Sequence, residues 1–333
     1  MNLHVNQQPF QSDRPLSVRE LLQLRSLDEG SVAVAVNRQV LPRERWGEIV
    51  LREGDQVDIV RAVAGGADDD AIGDPLVIAG RVFRSRLFLG TGKYPSPASM
   101  VAALEASGTQ MVTVAIRYMD LEGKGDGLDI MPHLDLRRYH LLPNTAGAYT
   151  VEHAVYLARL ARAATGTNWI KLEVLGDQAT LWPDTAATVE ATRQLVAEGF
   201  VVLAYTSTDL VAALRLEEAG AAAVMPLASL IGSGQGFQDW TGVRRIAERV
   251  SVPVVVDAGI GVPSDAAKAM ELGADACLVN TAIARAADPP RMALGMKLGV
   301  EAGRHAFLAG RMAPQESAAP SSPTRGVVAA GIE

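Results

Sequence analysis

Val252-Pro253-Val254-Val255-Val256-Asp257-Ala258-Gly259-Ile260-Gly261 is the stretch on which the fold turns. Its first five residues are apolar without alternation, so a strand built from them has no face for water. Strands of that kind belong to parallel sheets covered by helices. Working outward, short apolar runs recur at intervals of roughly 20–30 residues. They place strands at Arg86–Leu89, Met111–Ile116, Tyr139–Leu142, Trp169–Leu175, Val201–Tyr205, Ala222–Met225, Val252–Asp257 and Ala276–Asn280. Helical patterns such as Val151–Ala164, Ala186–Glu198 and Ser264–Leu272 fall between them. Eight βα units over about 235 residues match an α/β protein of the (β/α)8 TIM-barrel class, typically ~250 residues long. The competing open doubly wound sheet would carry G-x-G-x-x-G after its first strand, and none is there. Residues 76–311 are therefore expected to form the barrel, with 312–333 a polar, low-complexity mobile tail.

Residues 1–66 have another texture. Leu3-His4-Val5-Asn6 alternates as a strand does, Gln7-Gln8 reads as a turn, and a second strand can start near Phe10. Ser17 with Glu20 three residues on is a capping-box pattern opening a helix over Val18–Leu27. Ser31–Val36 and Gln56–Val60 are rich in β-formers. Strand-strand-helix-strand-strand predicts a small α+β sheet of the ubiquitin-like β-grasp kind. Between the two parts, residues 67–75 hold Asp68, Asp69, Asp70 and Asp74 with no Lys or Arg, an acidic linker by composition.

That linker carries four of the seven net negative charges of the 333-residue chain. No basic patch suited to a phosphate backbone exists, so nucleic acid is not an expected partner. No run reaches the ~18–20 apolar residues of a membrane span, and the first residues lack the charge and apolar core of a signal peptide. A cytoplasmic protein is expected. Cys277 is the single cysteine, and no two histidines stand at H-x-x-x-H spacing, so neither disulfide nor metal centre is predicted. Cys277, inside an apolar strand, is expected to be a small buried side chain. His133, His140 and His153 read as loop or helix-surface residues.

Trp169-Ile170-Lys171-Leu172-Glu173-Val174-Leu175 bears the chemistry. Period two puts Lys171, Glu173 and Leu175 on one face and Ile170, Leu172 and Val174 on the other. In a closed barrel the apolar face must meet the helices, which sends Lys171 and Glu173 into the lumen. Desolvation there lowers the pKa of a lysine and exposes a neutral amine that can condense with a ketone or aldehyde. The other four lysines compete poorly: Lys268 and Lys297 fall in helical patterns, Lys124 in a Gly-Lys-Gly turn, and Lys93 after the first strand as a possible substrate contact. Asp257 ends the seventh strand, where barrel acid/base groups sit. Gly232-Ser233-Gly234-Gln235-Gly236, Ala258-Gly259-Ile260-Gly261 and Asn280-Thr281 gather glycines and polar residues at one rim, suited to an anion. These residues alone describe an imine-forming enzyme for a phosphorylated carbonyl compound, and a class I aldolase or isomerase with a ubiquitin-like docking module meets that description equally well.

Longer motifs narrow the choice. Val32–Asn37, Val40-Leu41-Pro42-Arg43, Gly54-Asp55-Gln56-Val57 and Val63-Ala64-Gly65-Gly66 resemble the thiamin sulfur-carrier family ThiS. Leu89–Ser96, Leu142-Pro143-Asn144-Thr145-Ala146-Gly147, Ile170–Val174, Ile231–Gly236, Val256–Gly261 and Leu278–Ala282 resemble the thiazole synthase family ThiG. The resemblance implies a fusion of the two, without a cofactor. It implies 1-deoxy-D-xylulose 5-phosphate as substrate, held as an imine on Lys171, with Glu173 and Asp257 as acid/base residues. Gly232, Ala258, Gly259, Asn280 and Thr281 match substrate- and phosphate-contacting positions of the family. Sulfur is then expected as a thiocarboxylate on the carrier terminus, Gly65-Gly66, charged by a ThiF-like adenylyltransferase and a sulfur donor. Dehydroglycine from a separate enzyme would supply the remaining ring atoms, and a homo-oligomer, dimer or tetramer, is expected.

Overall fold

The computed structural model describes residues 1–6, 8–25, 27, 32–37, 39–61, 74–115, 130–319 and 321. Gly65, Gly66 and Lys124 lie outside the described residues, as does most of the linker. The chain divides into two compact units, 1–73 and 74–333, each described by itself.

In the first unit, β1 (Asn2–Val5), β2 (Gln8–Gln11), α1 (Val18–Leu24), β3 (Val32–Val36), β4 (Gln39–Leu41) and β5 (Gln56–Arg61) follow in order. The sheet runs β2-β1-β5-β3-β4, with β1 and β5 parallel and the other neighbours antiparallel. α1 starts where the capping box predicts. Glu20 N–H donates to Ser17 Oγ, and Ser17 N–H donates to the Glu20 carboxylate at 2.8 Å. Val18, Leu21 and Leu22 of the helix pack on Leu3, Val34 and Trp46, closing a small separate core. A β-grasp-like unit thus precedes the barrel in the chain.

The second unit opens with a hairpin that the apolar pattern does not announce, β6 (Leu76–Ile78) and β7 (Arg81–Phe83). Eight parallel strands follow: β8 (Leu87–Gly90), β9 (Met111–Ala115), β10 (His140–Asn144), β11 (Trp169–Leu172), β12 (Val201–Thr206), β13 (Ala223–Pro226), β14 (Val255–Asp257) and β15 (Ala276–Val279). They are neighbours in the order β13-β12-β11-β10-β9-β8-β15-β14, and parallel bridges Val224–Val254 and Leu227–Asp257 close the ring. α2 (Pro97–Ser107), α3 (Val151–Thr165), α4 (Thr185–Ala197), α5 (Leu210–Glu218), α6 (Trp240–Arg249), α7 (Pro263–Glu271), the one-turn α8 (Thr281–Ala284) and α9 (Pro289–Ala309) cover the outside. Among the described residues no helix is long and apolar enough to cross a membrane.

The lumen is filled from one end. Leu76, Ile78 and Phe83 of the hairpin form a floor under Phe88, Met111, Leu142, Trp169, Leu203, Val255 and Leu278. His140 belongs to that floor and not to a loop or helix surface: its ring lies edge-on to Trp169 at 4.4 Å and to Phe83 at 5.9 Å. Burial, helped by the charge of Arg81, pushes its pKa down to about 4. Cys277 is fully buried, as expected. Ile170, Leu172 and Val174 join the core beneath the helices, so Lys171 and Glu173 face inward above Trp169.

Candidate active site

Lys171 comes from β11, Glu173 from the residue just past its end, and Asp257 from the last position of β14. Their side chains are 8%, 7% and 5% exposed, so all three charges are taken from water. Lys171 Nζ lies 2.5 Å from Asp257 Oδ2 and 3.3 Å from Glu173 Oε1. The Tyr205 ring centroid stands 5.9 Å from the same nitrogen.

This arrangement corrects the expectation of a neutral amine. Burial does push the Lys171 ammonium down, but the charges of Asp257 and Glu173 outweigh it and hold the lysine above its usual range. The carboxyl of Glu173 is pushed up, first by burial, with Lys171 opposing and Asp257 adding to the rise. The resting lysine is an ammonium with a buried carboxylate beside it that accepts protons more readily than usual. A proton transfer within the cluster would free its lone pair.

Glu173 is held by a residue to which sequence reasoning gave no role. β10 ends at Asn144, and Thr145 then replaces a rung of the ladder with its side chain. Thr145 Oγ1 donates to Glu173 O and accepts from Glu173 N–H, both at 2.8 Å, while Thr145 N–H donates to Lys171 O at 3.2 Å. The hydroxyl fixes the Glu173 backbone where the strand would otherwise fray. Its motif, Leu142–Gly147, was visible; the cross-strand contact was not.

The three groups open into a cavity of about 210 Å³ that Gly232, Ala258, Gly259, Asn280 and Thr281 also line, with Thr113, Asn144 and Ile231. Two loops meet here backbone to backbone. Gly259 has φ +76°, and a Cβ on it would run into Ser229; one on Gly261 would strike the Gly234 carbonyl. Ala258 sits at φ +63° and donates its N–H to Asp257 Oδ1 at 2.9 Å. A non-glycine residue there costs about 1–3 kcal/mol, a strain characteristic of functional sites. Lys171 is the sole cation among the described lining residues, which at the glycine side offer an anion backbone N–H groups and hydroxyls. Lys93 is exposed and does not line the cavity. Lys268 and Lys297 pair with Glu271 and Glu301 on the helices. Among the described residues no cluster of His, Cys, Asp and Glu could hold a metal ion.

Residues 77–323 match the model of a family described as thiazole biosynthesis protein ThiG, and residues 3–66 match the ThiS family. A thiazole synthase of Paramagnetospirillum magneticum is 45% identical over 98% of this chain and 100% of its own length. One from Myxococcus xanthus is 56% identical over 76% of this chain and 97% of its own. Among solved structures, the Amycolatopsis orientalis BexX/CysO complex superposes with a TM-score of 0.67 at 38% identity, over 74% of this chain and all of the matched one.

Proposed function

The chain belongs to the ThiG family of thiazole biosynthesis proteins, with a ThiS-family sulfur-carrier unit in front, and we propose that it joins 1-deoxy-D-xylulose 5-phosphate, dehydroglycine and carrier-borne sulfur into the thiazole of thiamin. The observation that carries the reading is Lys171 Nζ held between two buried carboxylates in a closed barrel. Glu173 takes the proton of the ammonium, the freed amine adds to the C2 ketone, and the returned proton lets the carbinolamine lose water as the imine forms. Asp257, 2.5 Å from the same nitrogen, balances the iminium charge and serves the later proton transfers. The glycine side of the cavity, Gly232, Ala258 and Gly259 with Asn280 and Thr281, takes the phosphate.

Sulfur arrives as a thiocarboxylate on a carrier glycine, charged by a ThiF-like adenylyltransferase and a sulfur donor, and a separate enzyme supplies dehydroglycine. The complex of BexX with CysO supports docking of a second protein on a barrel of this kind. The test is borohydride trapping with deoxyxylulose phosphate, followed by peptide mapping. An adduct on Lys171, absent from Lys171→Ala and Lys171→Arg and not formed with ordinary aldolase substrates, is expected. Trapping of the alanine variant at near wild-type yield removes the assignment. Arginine must fail because a guanidinium stays protonated.

A further inference from the structure

The cavity wall on the β9–β10 side is polar without being charged. Thr113, 6% exposed, and Asn144 line it together, and Asn144 is in register with Lys171 on the next strand. Asn144 Nδ2 donates to Thr113 Oγ1 at 3.3 Å, and Asn144 Oδ1 accepts from Ala146 N–H at 3.3 Å. Both bonds are long for their type. They also leave capacity over: the second amide hydrogen of Asn144, a lone pair on its oxygen and the Thr113 hydroxyl hydrogen have no further partner among the described residues. Asn144 is half-buried; a site shaped for a simple ketone would present aliphatic groups beside the lysine, because an amide that a ligand shuts off from water and leaves unpaired costs binding.

We propose that Asn144 and Thr113 form a hydroxyl-reading subsite, which makes the lysine selective for a ketose phosphate bearing hydroxyls on the carbons between the imine carbon and the phosphate-bearing carbon. The proposal rests on the imine reading of Lys171 and adds the residues that discriminate among ketones. Phosphate is taken at the glycine side and the carbonyl by Lys171, which leaves this wall for the intervening carbons. A ketone without hydroxyls fills the same space, but strips water from the amide and hydroxyl and returns no bond. Sites built around a substrate hydroxyl reject the analogue lacking it strongly, here by ~10²-fold or more.

The experiment uses the full chain and the rate of borohydride-trapped adduct on Lys171, with two probes. One is 1-deoxy-D-xylulose 5-phosphate; the other is the phosphate of 5-hydroxypentan-2-one, the same skeleton without the two secondary hydroxyls. Wild type is expected to prefer the first. Thr113→Val and Asn144→Leu should shrink that preference about tenfold each, chiefly by slowing the hydroxylated probe. Thr113→Ser, which keeps the hydroxyl, should retain it. If the variants slow both probes equally, or neither, the pair is structural and the proposal is wrong. If wild type traps neither probe on Lys171, the imine reading fails first and the subsite falls with it.

Discussion

Two carboxylates set the protonation state of Lys171, and they are not equivalent. Asp257 is the nearer and carries the ion pair; Glu173 is the one whose carboxyl burial pushes up. Raising the folded pKa favours protonated Glu173. That contribution to stability is complete below the unfolded value of ~4.3 and is lost as pH rises through the folded value. A protonated Glu173 cannot take the lysine proton, so the acid limb of imine formation should lie above ordinary glutamate pH. Glu173→Gln should abolish that limb and slow the step ~10²–10⁴-fold. Asp257→Asn should leave trapping detectable while stalling turnover. A loss below about threefold in either variant, well under the usual acid/base contribution, would reduce that residue to a structural role. Thr145→Val leaves both Glu173 backbone groups unpaired in a buried place, at about 1–3 kcal/mol each. Steady-state kinetics should show a lower kcat with a nearly unchanged KM, and Thr145→Ser should restore it. If valine changes thermal stability and not kcat, Thr145 serves the fold alone.

At the scale of elements, the parallel strands were legible because several are apolar on both faces, and the eight of them lie close to where periodicity puts them. Their ends were less so. β14 begins at Val255 and not at Val252, since Pro253 has no N–H to give the ladder, although its carbonyl still accepts from Val224. The β6–β7 hairpin was missed for a local reason. Its turn is Ala79-Gly80 with both φ positive, the geometry usually announced by Asn-Gly or Asp-Gly, and strands of three residues are too short to show alternation. Lys171 and Glu173 could be assigned to the lumen from period two together with barrel closure. Their pairing with Asp257, and the rung made by Thr145, depend on contacts between distant strands that no local pattern encodes. Asp74 shows the same limit. Composition assigns it to the acidic linker, yet its carboxylate bridges Arg304 of α9, at 2.7 and 2.8 Å, and Arg86, at 2.9 Å. The Arg304 hydrogen bonds lead in holding its pKa below the usual aspartate range, against burial. Such a group stabilises the fold above its unfolded pKa of ~3.9 and stops doing so as pH falls through the depressed folded value. Asp74→Asn should therefore cost about 1–2 kcal/mol at neutral pH, the low end for charge-assisted bonds because the carboxylate keeps some water. Denaturant titrations from pH 7 down to about pH 3 check this: the gap between wild type and variant should narrow as the pH falls below the unfolded value of ~3.9. A gap that stays constant over that range shows that packing, not charge, holds Asp74.

The whole molecule poses a chemical difficulty that neither unit has alone. The proposed reaction asks the carrier for a free terminal carboxylate, to be adenylated and exchanged for a thiocarboxylate. In this chain the ThiS match ends at residue 66, and Gly66 acylates the nitrogen of Ala67. An amide offers nothing to adenylate, so by the proposed route the intact chain could not load sulfur at Gly66. Either a protease cuts after Gly66 or sulfur comes to the barrel from another donor. The sequence favours a cut, since Gly65-Gly66 followed by Ala67 and three aspartates is the small, polar composition at which nicking concentrates. The barrel unit would keep its structure, because the Asp74 pairs and the hairpin that floors the lumen all lie after the cleavage point. The fused arrangement is not peculiar to this chain, since the Paramagnetospirillum thiazole synthase aligns over its entire length. Intact-mass analysis of protein from its native cell should find a fragment ending at Gly66, partly heavier by the exchange of oxygen for sulfur. Ala67→Pro, which makes the bond a poor protease substrate, should leave imine trapping on Lys171 intact while abolishing thiazole formation. Full-length chain as the sole species, together with an Ala67→Pro protein that still makes thiazole, would show that the front unit is not the sulfur source.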